Sequence, residues 1–139
     1  MSDEPKVAVW LVLEQEGALL VTRRKPDVRP FGGDWGLPGD VMQEEESAAE
    51  TMARVGLEML DIRVTEETFV ETVHLKDGAR DYAINVFAIG FAGHPRYRES
   101  GPFAEVSWSL PADLEALHGF PVALAEMLIH REQAGETPA

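Results

Sequence analysis

The chain contains no cysteine. Disulfides, thiolate metal ligands and a thiol nucleophile are thereby excluded. It also lacks any apolar run near the ~18 residues that a membrane-spanning helix needs. The N-terminal Met-Ser-Asp-Glu-Pro is acidic and carries no apolar secretory stretch, so a cytoplasmic protein is the default expectation. Positive charge is scarce: 12 Lys+Arg stand against 25 Asp+Glu, a formal net charge of −13. A field of that sign repels nucleic-acid backbone and anionic lipid, and neither is expected as a partner. A small anionic ligand is still admissible, because a few arginines or a divalent cation can invert the sign inside one pocket. His74, His94, His118 and His130 show no ligand spacing such as H-x-x-x-H. No Ser–His–Asp arrangement can be argued from spacing either.

What is present fits one ordinary globular domain. The length is 139 residues and the hydrophobic fraction 45%, enough to bury a single core. We expect one domain over 1–139, with its core from about 6 to 130 and loose ends at 1–5 and about 132–139. Lys6 to Leu13 is almost continuously apolar and reads as a strand buried on both faces. Glu14 to Gly17 is a turn, and Ala18 to Arg24 the return leg of a hairpin. Lys25 to Asp34 is a Pro/Gly-rich loop, and Trp35 to Asp40 cannot be helical.

Ser47 to about Leu60 is the clearest helix. Ser47 and Glu50 form a capping box. Ala48, Met52, Val55 and Met59 make one apolar stripe, and Glu50, Arg54 and Glu58 suggest a ladder of ion pairs four residues apart. Gly56, unfavourable in a helix interior, marks a close packing contact. Strands are expected near 62–64, 69–75, 82–91 and 105–109, with a hairpin turn at Lys76-Asp77-Gly78-Ala79. A short helix starts at Leu110-Pro111. A last helix runs from Pro121 to about His130, with Val122, Ala125, Leu128 and Ile129 inward. Strands and helices are mixed without regular alternation, so the class is α+β, or a mixed sheet with helices on both faces.

One region suggests chemistry: a Gly-Pro turn, an acidic cluster, then a capped helix bearing acid and arginine. Such a turn can aim a backbone carbonyl, and the helix its carboxylates, at one hard cation such as Mg²⁺. Trp35-Gly36-Leu37-Pro38-Gly39, then Glu46, Arg54 and Glu58, resembles the box of the Nudix hydrolases, G-x5-E-x7-R-E-U-x-E-E-x-G-U after W-x-L-P-G. Leu19-Leu20-Val21-Thr22-Arg23-Arg24 before the loop, and Trp108 to Leu114 late in the chain, are similar to the MutT-like branch. The resemblance covers roughly residues 6–130. It implies an α/β/α sandwich, with a mixed sheet between helices.

It also implies a Mg²⁺- or Mn²⁺-dependent pyrophosphohydrolase acting on a nucleoside diphosphate linked to another group. A homodimer is compatible with it. Carried over residue by residue, Gly39 (through its carbonyl), Glu46 and Glu58 would serve the metal. Glu58, Arg54 and Glu99 would serve catalysis, with Arg54 orienting acids. Arg23, Arg24 and Phe31 would serve substrate binding.

The box departs from its pattern in four places. Asp40 stands for the opening Gly, Val55 for the Glu after Arg54, Met59 for the second of the paired Glu residues, and Asp61 for the later Gly. In the family the acids equivalent to 55, 58 and 59 ligate metal or act as base. On a regular helix those positions share an arc of about 100°. With two of the three apolar, the ion should be held weakly. Asp40, Glu44, Glu45, Glu99 and Glu105 are the candidates to replace them. A nucleotide-binding or regulatory module with little or no hydrolysis is the alternative function.

Overall fold

A computed structural model describes residues 4–135. The apolar run forms β1 (Lys6–Val12), and Ala8 to Leu13 are all buried. A turn at Glu16 and Gly17, both at positive φ, joins the short β2 (Glu14–Gln15) to β3 (Ala18–Arg24). After the loop come β4 (Trp35–Gly36) and β5 (Gly39–Val41). Helix α1 (Ala48–Arg54) continues as a π-helical turn over Val55–Met59. Then follow β6 (Arg63–Asp77), β7 (Arg80–Ala92), β8 (Phe103–Ser109), a 3₁₀ turn at Pro111–Ala116 and α2 (Val122–Gly135).

A mixed four-stranded sheet runs β5-β1-β7-β6, with β1 and β7 parallel and the other pairs antiparallel. In a second, antiparallel sheet β3 pairs with β2, β4 and β8. The alternation along β1 divides the core. Ala8, Trp10 and Val12 pack with Leu124, Ala125 and Leu128 of α2. Val9, Leu11 and Leu13 pack with Met52 and Val55. The mixed sheet therefore lies between α1 and α2, as expected of the sandwich.

The capping box is present. The Ser47 hydroxyl accepts the Glu50 N–H at 3.1 Å, and Glu50 Oε1 accepts the Ser47 N–H at 2.8 Å. Gly56 is a packing contact, since a Cβ there would lie 3.1 Å from Val64 Cγ2 and 3.3 Å from the Ile62 carbonyl oxygen. Two expectations are corrected. The strands placed at 62–64 and 69–75 are one strand, β6, whose register against β7 shifts at Val64/Glu66 and again at Phe69/Glu71. It lies at a sheet edge and is mostly exposed, so alternation does not mark it. In α2, Leu124 faces inward, whereas Val122 is 61% exposed. Loose ends were expected at 1–5 and about 132–139; α2 instead continues through Gly135, and residues 1–3 and 136–139 lie outside the described residues.

Candidate functional site

The Trp35–Val41 turn is held against β1. The Leu11 N–H donates to the Pro38 carbonyl at 2.8 Å. Position 39 accepts only glycine, because a Cβ there would sit 2.2 Å from the Val9 carbonyl oxygen and 2.5 Å from Trp10 Cδ1. Behind the turn, Arg54 ties strand, loop and helix together. Its Nε and Nη2 donate to the two oxygens of Glu46 at 2.7 and 3.0 Å. Its Nη1 donates to Asp40 Oδ2 at 2.9 Å, and Nη2 also to the Val41 carbonyl at 3.2 Å. Glu46 Oε1 further accepts from the Gln43 N–H and the Thr51 hydroxyl. The bidentate guanidinium, aided by the Gln43 amide, holds the Glu46 carboxyl down at about 2. Charge-assisted contacts of this kind fix the geometry of the turn relative to the helix. The expected ladder is corrected, because Arg54 pairs with Glu46 and Asp40 rather than with Glu50 and Glu58.

Past Arg54 the helix widens into its π turn, and burial separates Val55 and Met59 from the exposed Glu58. Val55 is 0% exposed and packs with Leu11, Leu60 and Ile62. Met59 is half-buried against the same cluster. Glu58 is exposed and makes no ion pair or hydrogen bond to the described residues.

On the other side of the turn lies a small pocket of about 10 Å³, room for about one water. Its walls include Trp10, Pro30, Phe31, Trp35 and Leu37, with Thr22, Arg24, Asp34 and Asp40 as the polar members. Phe31 partly fills the space, edge-on to Trp10 at 5.8 Å and tilted on Tyr82 at 5.4 Å between ring centroids. Its backbone N–H donates to Asp77 Oδ2 at 3.1 Å, which ties the loop to the β6–β7 hairpin.

Arg24 is only 9% exposed, and its Nη1 donates to the Gly39 carbonyl at 3.3 Å. Its Nε is buried without a partner. Burial pulls the Arg24 pKa below the ordinary arginine value, against the attraction of Asp40 and Tyr82. Burial likewise raises the Asp34 carboxyl, with His118 opposing and Asp77 adding to the shift.

The NUDIX domain model matches residues 3–130. The chain belongs to the NUDIX domain family. A MutT NUDIX hydrolase from Burkholderia pseudomallei is 26% identical, with a TM-score of 0.76 over 90% of this chain and 96% of that one. A MutT protein from Methanosarcina mazei Go1 shares the fold at 19% identity and a TM-score of 0.79, over 99% and 100% of the two chains. The NUDIX domain of Shewanella oneidensis NrtR, solved with ADP ribose, shares it at 21% identity and a TM-score of 0.71, over 92% and 88%. A search of curated protein sequences finds no match. No helix among the described residues is long and apolar enough to cross a membrane.

Within the NUDIX frame the Trp35–Gly39 turn, Glu46, Arg54, Arg24 and Phe31 come together, and Arg23, Glu58 and Glu99 do not. Arg23 leaves the pocket and pairs with Glu105 at 2.8 Å on the exposed face of β3 and β8. Glu99 is exposed, and its backbone carbonyl accepts from the Lys25 ammonium. Glu44 and Glu45 are exposed loop residues. Asp61, in place of the box's Gly, adopts a left-handed backbone at φ 58°. Trp10 and Asp34 are pocket members that motif reading did not assign, and their convergence with Phe31 and Trp35 depends on strand register.

These residues do not fit the family's divalent ion. The Gly39 carbonyl already accepts from a cationic side chain, and Glu46 is held by Arg54. Val55 and Met59 supply no oxygen, and no group of three His, Asp or Glu among the described residues could hold a metal. Mg²⁺ needs near-ideal hard ligands, and Glu58 alone does not provide them.

Proposed function

We propose that this chain binds a nucleotide or nucleotide-linked small molecule and does not turn it over by the metal-dependent route of its family. The observation that carries this reading is Arg24. A guanidinium has five N–H donors, and here a single protein acceptor, the Gly39 carbonyl, serves them among the described residues. A buried cation left so incompletely paired is costly, and a phosphate oxygen would satisfy it bidentately. The aromatic wall beside it suits a base, which would enter by displacing Phe31 from between Trp10 and Tyr82. With Phe31 in place the pocket holds about 10 Å³, so a ligand needs that ring to move aside.

ADP-ribose, the ligand in the NrtR domain structure, is the first probe. Calorimetric titration with Mg²⁺ present is expected to show saturable binding, and chromatography of the mixture no AMP. Absence of saturable binding would overturn the reading. Hydrolysis is the second reading, motivated by the exposed Glu58 on a family helix. AMP release by the wild type that disappears in Glu58→Gln would establish it instead.

A further inference from the structure

The pocket beside the turn is closed by its own chain. The Phe31 ring meets Trp10 and Tyr82, and the Phe31 backbone N–H donates to Asp77 Oδ2 at 3.1 Å. We propose that the loop of residues 25–34 is a lid whose plug is Phe31, and that Asp77, at the end of β6, is the latch that keeps it shut in the free protein. The inference rests on the ligand-binding reading above and adds how entry to that site is controlled.

Three observations carry it. First, the loop is tied to itself and to its own ends. The Val28 N–H donates to the Lys25 carbonyl at 3.0 Å, the Gly33 N–H to the Arg24 carbonyl at 2.9 Å, and the Asp34 N–H to the Phe31 carbonyl at 3.1 Å. A Cβ at Gly32 would lie 2.5 Å from the Pro26 and Val28 carbonyl oxygens, so the segment is tightly coiled. Pro26, Asp27 and Arg29 are exposed, while Pro30 and Phe31 line the pocket. Among the described residues, the bond from Phe31 to Asp77 is the one hydrogen bond that ties residues 26–33 to a distant element. Second, Phe31 has φ 62°, a left-handed conformation uncommon for a bulky side chain. Such a conformation persists where its surroundings hold it. Here the Asp77 carboxylate and the two ring contacts do so. Third, the closed pocket of about 10 Å³ has no room for a base. An entering base takes the place of the Phe31 ring and can renew its contacts with Trp10 and Tyr82, since both are flat and aromatic. The bond to Asp77 has no such replacement, and it is what opening loses. Apparent affinity is then lowered by the fraction of molecules that stay closed.

The test reads the lid first without ligand. Trp10 and Trp35 line the pocket, so acrylamide quenching of their fluorescence in a Trp108→Phe background reports its opening. Asp77→Ala is expected to raise the quenching constant about two-fold, and Phe31→Ala at least as much. The double variant should go no further than Phe31→Ala, because latch and plug act as one unit. Asp77→Asn, nearly isosteric with a neutral acceptor, should shift the same way by less, and it serves if Asp77→Ala does not fold. Quenching unchanged in both Asp77 variants overturns the proposal. Calorimetry then follows ADP-ribose and the uncharged adenosine. Asp77→Ala is expected to tighten both by about 10-fold, since a bond to a charged acceptor no longer holds the closed state. Tightening of ADP-ribose alone would mean that Asp77 merely repels phosphate, and weaker binding of both that it only braces the fold; either result overturns the latch. The expected quenching pattern with no binding in any variant defeats the ligand-binding reading and leaves the latch standing.

Discussion

Val55→Glu, which restores the first missing acid of the box, is expected to destabilise the fold by about 3 to 5 kcal/mol at neutral pH and to restore no hydrolysis. Val55 has no exposed surface and packs among Leu11, Leu60 and Ile62, so an introduced carboxylate would have no partner there. The sign with pH follows from burial. The folded-state pKa of the new carboxyl would lie above its unfolded value of about 4.3. Between the two values the folded state holds the extra proton, and stability falls as pH rises. The deficit relative to wild type should therefore be smallest near pH 4 and grow to its full size above the folded pKa. Urea denaturation of both proteins across pH measures this. A variant as stable as the wild type at pH 8 would mean that position 55 opens toward solvent and the site.

The second large effect is expected at Arg54. Arg54→Ala removes the group that pairs with Glu46 and Asp40. Both carboxylates are left partly buried and close together, and the loss is about 2 to 3 kcal/mol, less than for a fully buried pair because some solvent reaches them. The pH dependence runs opposite to that of Val55→Glu. Glu46 is depressed from 4.5 to about 2 in the folded protein. Its contribution is fully present above 4.5 and is lost as pH falls toward about 2. The wild type should lose stability across that window, and Arg54→Ala should show a flatter profile there. Parallel profiles would place the acid sensitivity elsewhere. Arg54→Lys should recover only part of the loss, because an ammonium cannot span both Glu46 oxygens.

These two residues also mark how far the sequence could be read. Local signals were legible: the run from Lys6 to Leu13, the capping box at Ser47 and Glu50, and Gly56 as a close contact all rest on neighbours in sequence. Arg54 was legible as part of a motif, but its partners were not. The i, i+4 rule pointed to Glu50 and Glu58, whereas a through-space chelate with Asp40 and Glu46 prevails because it is bidentate and less exposed. β6 hid behind its bulges and its exposed edge. The π turn after Arg54 was not legible, because the apolar stripe of Ala48, Met52, Val55 and Met59 keeps a helical spacing through it. The Arg24–Gly39 contact joins residues 15 apart across two strands, and no pattern along the chain announces it.

The misfit of a divalent cation at the turn and helix of this NUDIX domain is checked by titrating Mn²⁺ into the free protein and following electron paramagnetic resonance. The expected result is no saturable site, with Glu58→Gln indistinguishable from wild type. One tight, stoichiometric Mn²⁺ per chain that is lost in Glu58→Gln would contradict it.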